Sequence, residues 1–509
     1  VVVANPPYMG GKGMSDRLKK YLSDNYNDVK TDLFSAFMVR NTFLTLPKGQ
    51  LGFMTPFVWM FISSYEKLRE FIINQKTITS LVQLEYSGFD GATVPICTFT
   101  LENSYNPEYL GGYIKLSDFK GSENQAPKTL EAIKNKDCGW FYLSSANEIN
   151  LIPGSPIAYW VSQRVKEIFE KSEKLGEVSQ PRVGLQTGDN DRFLRCWSEV
   201  SFNKVGLNYS NRDEAKESSL KWFPYNKGGE FQKWYGNQDY LVNWENDGVE
   251  IQNFFDEKGK LRSRPQNKEF YFQEGITWSF VSSSNFGVRY TPKGFLFDVG
   301  GSSTFPKDNE IFYITAFLTS KIALNMLKIV APTINFQVGD LKALPIIFSK
   351  QESTKQQIDT LTGECIDISK EEWDSRETSW DFLINGLLRF ACNDGDGKIS
   401  SAYNAYCEYW RERFYKLHAN EEELNRLFID IYELGDELTP DIALKDITIL
   451  KSESIINDNN ELEFKADEIM KQFISYAVGV MFGRYSLDHD GLHIANQDES
   501  IEEVNAKFG

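Results

Sequence analysis

The chain has 509 residues, 41 % of them hydrophobic and 25 % charged, which is too long for one hydrophobic core and ordinary for a globular protein. The formal net charge of −17 excludes a uniformly basic nucleic-acid-coating protein. The charge is uneven, however: residues 351–509 carry 15 Lys+Arg against 34 Asp+Glu, and residues 1–350 carry 40 against 38. The front is therefore able to show a local basic face to phosphates, whereas the acidic end would keep away from them. No apolar run reaches the length of a membrane span, so no membrane partner is expected. The three histidines stand at 418, 489 and 493, which leaves the front part without a His-based catalytic site or metal cage. The six cysteines (97, 138, 196, 365, 392 and 407) form no CxxC pair, and free thiols in a cytoplasmic protein are expected.

In chain order, Val1-Val2-Val3-Ala4 reads as a buried strand, which Pro6 and Pro7 then end. A Gly/Lys-rich loop follows, from Met9 to Met14. Asp32 to Leu46 shows apolar residues at helical spacing. Gln50–Thr55 reads as a strand ended by Pro56, and Ser64–Asn74 as a helix capped by Ser63 or Ser64. Thr77–Tyr86 and Thr93–Leu101 read as strands of a hairpin, so residues 1–105 form the second half of a doubly wound α/β sheet. Residues 106–180 are transitional, with one helix over Tyr159–Lys174. Residues 181–346 are rich in Gly, Asn, Ser and aromatics, with short β-like runs at 221–229, 231–235, 275–280 and 294–298 and a helix over Ile311–Val330. The rest reads as acidic and helical: Ser375–Phe390, Ser400–Leu417, Glu421–Leu434 and Lys465–Phe482. The domains expected are 1–150, 151–350 and 351–509.

Asn5-Pro6-Pro7-Tyr8 carries the chemistry. An exocyclic aromatic amine is a poor nucleophile because its lone pair is delocalised into the ring. Two acceptors aimed at its hydrogens, the Asn5 side-chain oxygen and the Pro6 carbonyl, would localise that lone pair. Pro7 would hold the turn rigid. Tyr8 would stack on the ring.

This turn resembles the Asn-Pro-Pro-Tyr motif of the N6-adenine DNA methyltransferases. Asp32-Leu33-Phe34-Ser35-Ala36-Phe37 is similar to the family's next motif, and Gly49–Pro56 to the one after it. The resemblance implies a partial Rossmann-like class I methyltransferase sheet, followed by an α+β target-recognition domain and a helical C-terminal region. It places Phe37 at the adenine of S-adenosylmethionine. It also places Phe89 opposite Tyr8, clamping a base flipped out of double-stranded DNA. Asp191–Trp197, Lys221–Gly229, Lys233–Gly236, Gly275–Trp278 and Pro332–Asp340 resemble the adenine methyltransferases of the BREX phage-defence systems, which implies further phage-defence proteins as partners. Type IIG restriction–modification enzymes share similar phrases in their recognition domains.

In the recognition region Arg182, Arg192, Arg195, Lys221, Lys227, Lys233, Arg262, Arg264 and Arg289 stand among Asn, Gln and aromatic residues, a mixture suited to phosphates and base edges. With Lys12 of the glycine loop, the DNA-contact candidates are Arg192, Arg195, Lys221, Lys227, Lys233 and Arg289. Gly11-Lys12-Gly13 lacks the ending of a phosphate loop. Asn393–Ile399 fails as a calcium loop because Cys392 and Tyr403 occupy positions that require acidic ligands; no metal site is expected. In the family the main S-adenosylmethionine motif precedes the catalytic one, and nothing here matches it. The expectation is the C-terminal portion of a longer enzyme, inactive alone. The rival is a non-catalytic DNA-recognition or assembly protein that keeps a methyltransferase remnant.

Overall fold

The opening β-branched run forms β1 (Val2–Ala4), an edge strand of a six-stranded sheet. The computed structural model describes residues 1–509 except 87–93, 281–285, 308, 332–334, 395–397, 494–499 and 509. It divides into two units, 1–172 with 326–332, and 173–325 with 333–509.

In the first unit β1 is followed by α1 (Asp16–Asn25), α2 (Leu33–Phe43), β2 (Gln50–Pro56), α3 (Glu66–Gln75), β3 (Thr77–Gln83) and β4 (Ile96–Glu102). Then come β5 (Gly111–Lys115), α4 (Ser122–Lys134), β6 (Phe141–Ser144) and α5 (Gln163–Lys171). The sheet order is β1-β2-β4-β3-β5-β6. β1 and β2 run parallel, and α2 supplies the crossover that parallel strands need. β4 lies antiparallel between β2 and β3, and β5 returns parallel to β3. Alternation along β2 and β4 turns Leu51, Phe53, Phe99 and Leu101 to a core shared with Phe34 and Met38 of α2 and Leu68 and Ile72 of α3. This is the expected α/β class.

Two features differ from expectation. The stretch read as transitional supplies β5, α4 and β6, of which the first two carry poor signals. β5 opens on Gly111-Gly112, and a Cβ on Gly111 would lie 2.5 Å from the Ile78 carbonyl oxygen. α4 contains Pro127 and a polar first half. The N-cap of α3 is Tyr65 rather than Ser63 or Ser64, because those serines form a 3₁₀ turn leading into the helix.

In the second unit β7 (Ser179–Arg182), β8 (Leu194–Cys196), β9 (Trp222–Asn226), β10 (Tyr240–Asn243), β11 (Gly275–Trp278), β12 (Val288–Thr291), β13 (Leu296–Phe297) and β14 (Ser303–Pro306) make two four-stranded sheets. Their orders are β13-β9-β10-β8 and β12-β11-β14-β7. An aromatic core that includes Phe193, Phe223, Tyr225, Trp244, Tyr271, Phe297 and Phe305 fills this region. The run 231–235 makes only a single bridge, Trp234 to Arg289. Trp234 and Asn237 adopt φ of 68° and 57°, which bends the chain out of a strand.

The expected helix over Ile311–Val330 is two, α6 (Ile311–Thr319) and α7 (Lys321–Val330), bent by 66°. Ser320 is extended at the break, and its hydroxyl accepts from the Ala323 amide. α8 (Glu352–Asp374) was not legible, because Thr362, Cys365 and Ser369 fill buried positions. α9 (Gly386–Asp394) starts well after Ser375. The two helices expected after Ser400 are one, α10 (Ile399–Tyr432), since nothing at 418–420 breaks a helix. α11 (Ala466–Met481) and α12 (Ile501–Phe508) follow. No single helix among the described residues is long and apolar enough to cross a membrane.

The acidic helices belong to the same unit as the two sheets. The Glu421 carboxylate of α10 is buried, where it pairs with the Lys233 ammonium and accepts from Trp234 Nε1 at 2.7 Å. The Lys233 amide donates to Thr448 Oγ1 at 3.2 Å.

Candidate active site

The turn Asn5–Tyr8 leaves β1 at its C-terminal end, the position where open α/β sheets bind ligands. Val2, Val3 and Ala4 pair with Leu51, Gly52 and Phe53, which sets the turn beside the end of β2. Pro6 is buried; Asn5, Pro7 and Tyr8 are exposed. The Tyr8 hydroxyl lies 3.2 Å from Asn5 Oδ1 and 3.3 Å from the Met54 carbonyl oxygen, both acceptors. These distances are long for O–H···O, and an amide oxygen has two lone pairs, so Asn5 Oδ1 keeps capacity for a further donor. The Tyr8 ring meets Phe34 edge-on, with centroids 6.2 Å apart and planes at 87°. Partial burial pushes the Tyr8 phenol above its ordinary pKa, with a smaller contribution from Cys97.

A polar frame lies behind the turn. Trp59 Nε1 donates to Thr55 Oγ1 at 3.1 Å, and Thr55 Oγ1 lies 3.7 Å from Cys97 Sγ. Burial pushes the Cys97 thiol up to about 12, so it stays protonated. Arg69, also buried, donates to the carbonyls of Trp59, Ile62 and Gly154, fixing the segment after β2. Its guanidinium is pushed down to about 10 by burial.

Phe37 lies on α2 with 39 % of its surface in solvent, in contrast to buried Phe34 and Met38. Phe89 lies outside the described residues. The C-terminal end of β3 and the N-terminal end of β4 lie at the sheet end that carries Asn5–Tyr8, since Pro56 pairs with Ile96 and Gln83 with Cys97. Residues 332–334 and 395–397 of two other motifs also lie outside the description. Sequence reasoning missed the acceptors that the turn uses, the Met54 carbonyl and the Asp32 carboxylate. A backbone carbonyl leaves no signature, but Asp32 before an apolar run is a legible N-cap.

The basic candidates separate into two groups. Lys12 is exposed. Arg195 and Lys221 both lie over the Trp222 ring, at 5.6 and 5.9 Å. Arg192 stands over Phe193 and Phe254 and pairs with Glu250 at 2.6 Å. That hydrogen bond holds the Glu250 carboxyl below its usual pKa, with smaller help from Lys221. Lys227 covers the Tyr240 ring at 4.6 Å. Lys233 and Arg289 form the second group, and for them the expectation of a DNA contact is corrected. They are 6 % and 2 % exposed, and the Lys233 charge is taken up by Glu421.

Among the described residues Arg289 Nε and Nη1 have no hydrogen-bond partner, and burial pushes the guanidinium down to about 10. Arg289→Met keeps the apolar stem and removes the buried charge. Its thermal unfolding is expected at or above the wild-type temperature, with a gain of up to about 1 kcal/mol; a clear loss of stability would show that the charge is compensated.

A family model described as Eco57I restriction-modification methylase matches residues 1–89. The chain is 38 % identical over 505 residues to the adenine-specific methyltransferase PglX of Lacticaseibacillus casei (strain Zhang), covering 98 % of this chain and 40 % of that protein. It is 36 % identical over 507 residues to the adenine-specific methyltransferase BrxX of Escherichia coli O9:H4 (strain HS), covering 97 % of this chain and 39 % of that protein. Among solved structures it resembles the Type IIL restriction-modification enzyme MmeI in complex with DNA, with a TM-score of 0.51 and 12 % identity, over 86 % of this chain and 55 % of that one. This last likeness speaks for the fold. By sequence the chain is similar to the adenine-specific methyltransferases PglX and BrxX, and it spans about 40 % of the length of these curated relatives.

Proposed function

We propose that Asn5–Tyr8 is the acceptor site of a site-specific DNA adenine-N6 methyltransferase. The observation that carries this reading is the exposed Asn5 amide at the C-terminal end of β1, with the Tyr8 ring held beside it. The amine of a flipped-out adenine donates its two hydrogens to Asn5 Oδ1 and the Pro6 carbonyl, which frees the nitrogen lone pair for attack. Pro7 keeps the two acceptors in register, and Tyr8 stacks on the base, with Phe89 as its counterpart. No side chain needs to act as a strong base, because the amine proton leaves after transfer. When bound, S-adenosylmethionine supplies an electrophilic methyl group. The half-exposed Phe37 ring suits the cofactor's flat adenine and would hold it there.

Residues 151–350 read the DNA site in this proposal, and 351–509 buttress them. Arg195 and Lys221 lie over the Trp222 ring and Arg192 over Phe193 and Phe254, and Lys12 and Lys227 add separate charges. The adenine-specific methyltransferases PglX and BrxX support the adenine-methylating reading, and a cytoplasmic phage-defence role alongside other defence proteins belongs to this proposal.

Two measurements on the intact protein test the DNA-binding half of this reading. Arg195→Ala and Lys221→Ala are each expected to weaken DNA binding and to flatten the slope of log affinity against log salt by about one, read by fluorescence anisotropy. An unchanged slope in both variants would remove the area around Trp222 from the DNA interface.

A further inference from the structure

Where the chain leaves the Asn5–Tyr8 turn, it is tied down by one carboxylate. Asp32 Oδ1 accepts from the Met9 amide at 2.9 Å and from the Phe34 amide at 3.3 Å. The Leu33 amide returns a bond to the Met9 carbonyl at 3.0 Å, and Gly10 bridges Asp32 antiparallel. Asp32 is thus at once the N-cap of α2 and the anchor of the residue that follows Tyr8. The same first turn of α2 presents Phe34, whose ring meets Tyr8 edge-on and leans on Tyr65 at 5.5 Å. Tyr65 is buried, and burial, with a smaller contribution from Asp32, pushes its phenol up to about 12, so it stays neutral beside the carboxylate. Backbone and ring are therefore referred to one helix end, and that helix end is packed into the core through Phe34, Ala36 and Met38.

We propose that Asp32 is a positioning residue for the adenine site, acting through Met9 to hold the Tyr8 ring at the angle at which it stacks on the base. This rests on the adenine-site reading above. The physical reason is that a side chain held on both sides by a packed element loses less orientation when its substrate arrives, and misplacement by about 1 Å can cost about a hundredfold in rate. The two Asp32 bonds have separable roles. Asparagine keeps an acceptor for both amides. Glycine is a fair N-cap in its own right and leaves the helix nearly as stable, but offers nothing to Met9.

The experiment compares Asp32→Asn and Asp32→Gly in the intact protein by three readouts. The first is hydrogen exchange at the Met9 amide, which needs no activity. The second is kcat against KM for methyl transfer to unmodified genomic DNA. The third is thermal unfolding. Asp32→Gly is expected to speed Met9 exchange and to lower kcat about tenfold to a hundredfold, with KM for DNA and the unfolding temperature near wild type. Asp32→Asn is expected to restore slow exchange and most of kcat. Unchanged Met9 exchange in Asp32→Gly would overturn the anchor. Fast exchange with wild-type kcat would overturn its positioning role. Failure of the wild type itself to methylate would overturn the adenine-site reading, while exchange at Met9 would still decide whether the anchor exists. If both variants unfold at markedly lower temperature, the role of Asp32 is stability alone and the proposal falls.

Discussion

Asn5→Ala in the intact protein is expected to lower methyl transfer by at least about a hundredfold to a thousandfold while leaving DNA affinity near wild type. The scale is that of removing one prealigned hydrogen-bonding group from a transition state. Asn5 is exposed and packs into no core, so its truncation leaves the sheet intact. Its Oδ1 also receives the long contact from the Tyr8 hydroxyl, which keeps one contact to the Met54 carbonyl in the variant. Radiolabelled methyl incorporation beside anisotropy binding separates the two effects. A variant that binds DNA and methylates at the wild-type rate would remove Asn5 from the chemistry.

Glu421→Ala is expected to have the largest effect on stability. The Glu421 side chain is 2 % exposed, that of its partner Lys233 8 %, and Trp234 Nε1 donates to the same carboxylate. Removing the carboxylate strands a buried ammonium and a buried indole N–H, a loss of about 3–5 kcal/mol. The second unit spans 173–325 and 333–509, and with an unfolding entropy of about 2.1 cal/mol/K per residue its transition should fall by roughly 5 °C. The first unit contains neither residue and should unfold as before. Differential scanning calorimetry reads both. A second-unit transition at the wild-type temperature would mean that the pair contributes nothing to the fold.

Particular residues decide how much of this was legible. Asn5-Pro6-Pro7-Tyr8 was readable because prolines end a strand by covalent geometry, whatever surrounds them. The strands β2, β3 and β4 and the antiparallel β3–β4 pair followed from alternation, which acts locally, whereas the parallel β1–β2 pairing is set by the tertiary fold. β5 and α4 were not readable, since Gly111-Gly112 and Pro127 carry the wrong local preference and are held by tertiary packing. The charges divide in the same way. Lys221 and Lys233 look alike in sequence, but one lies over Trp222 with 41 % of its side chain exposed, and the other is buried against Glu421, 188 residues away. A long-range carboxylate has no local signature, and neither does the burial that leaves Arg289 Nε and Nη1 without a partner among the described residues.

The amine that Asn5–Tyr8 is proposed to activate is open to direct test. Two acceptors facing an exocyclic amine would serve adenine N6 or cytosine N4 by the same physics, so the identity of the product is decisive. Mass spectrometry of nucleosides from DNA incubated with the intact protein and S-adenosylmethionine should show N6-methyladenine with the wild type and none with Asn5→Ala. N4-methylcytosine in its place, or N6-methyladenine undiminished in Asn5→Ala, would contradict the account.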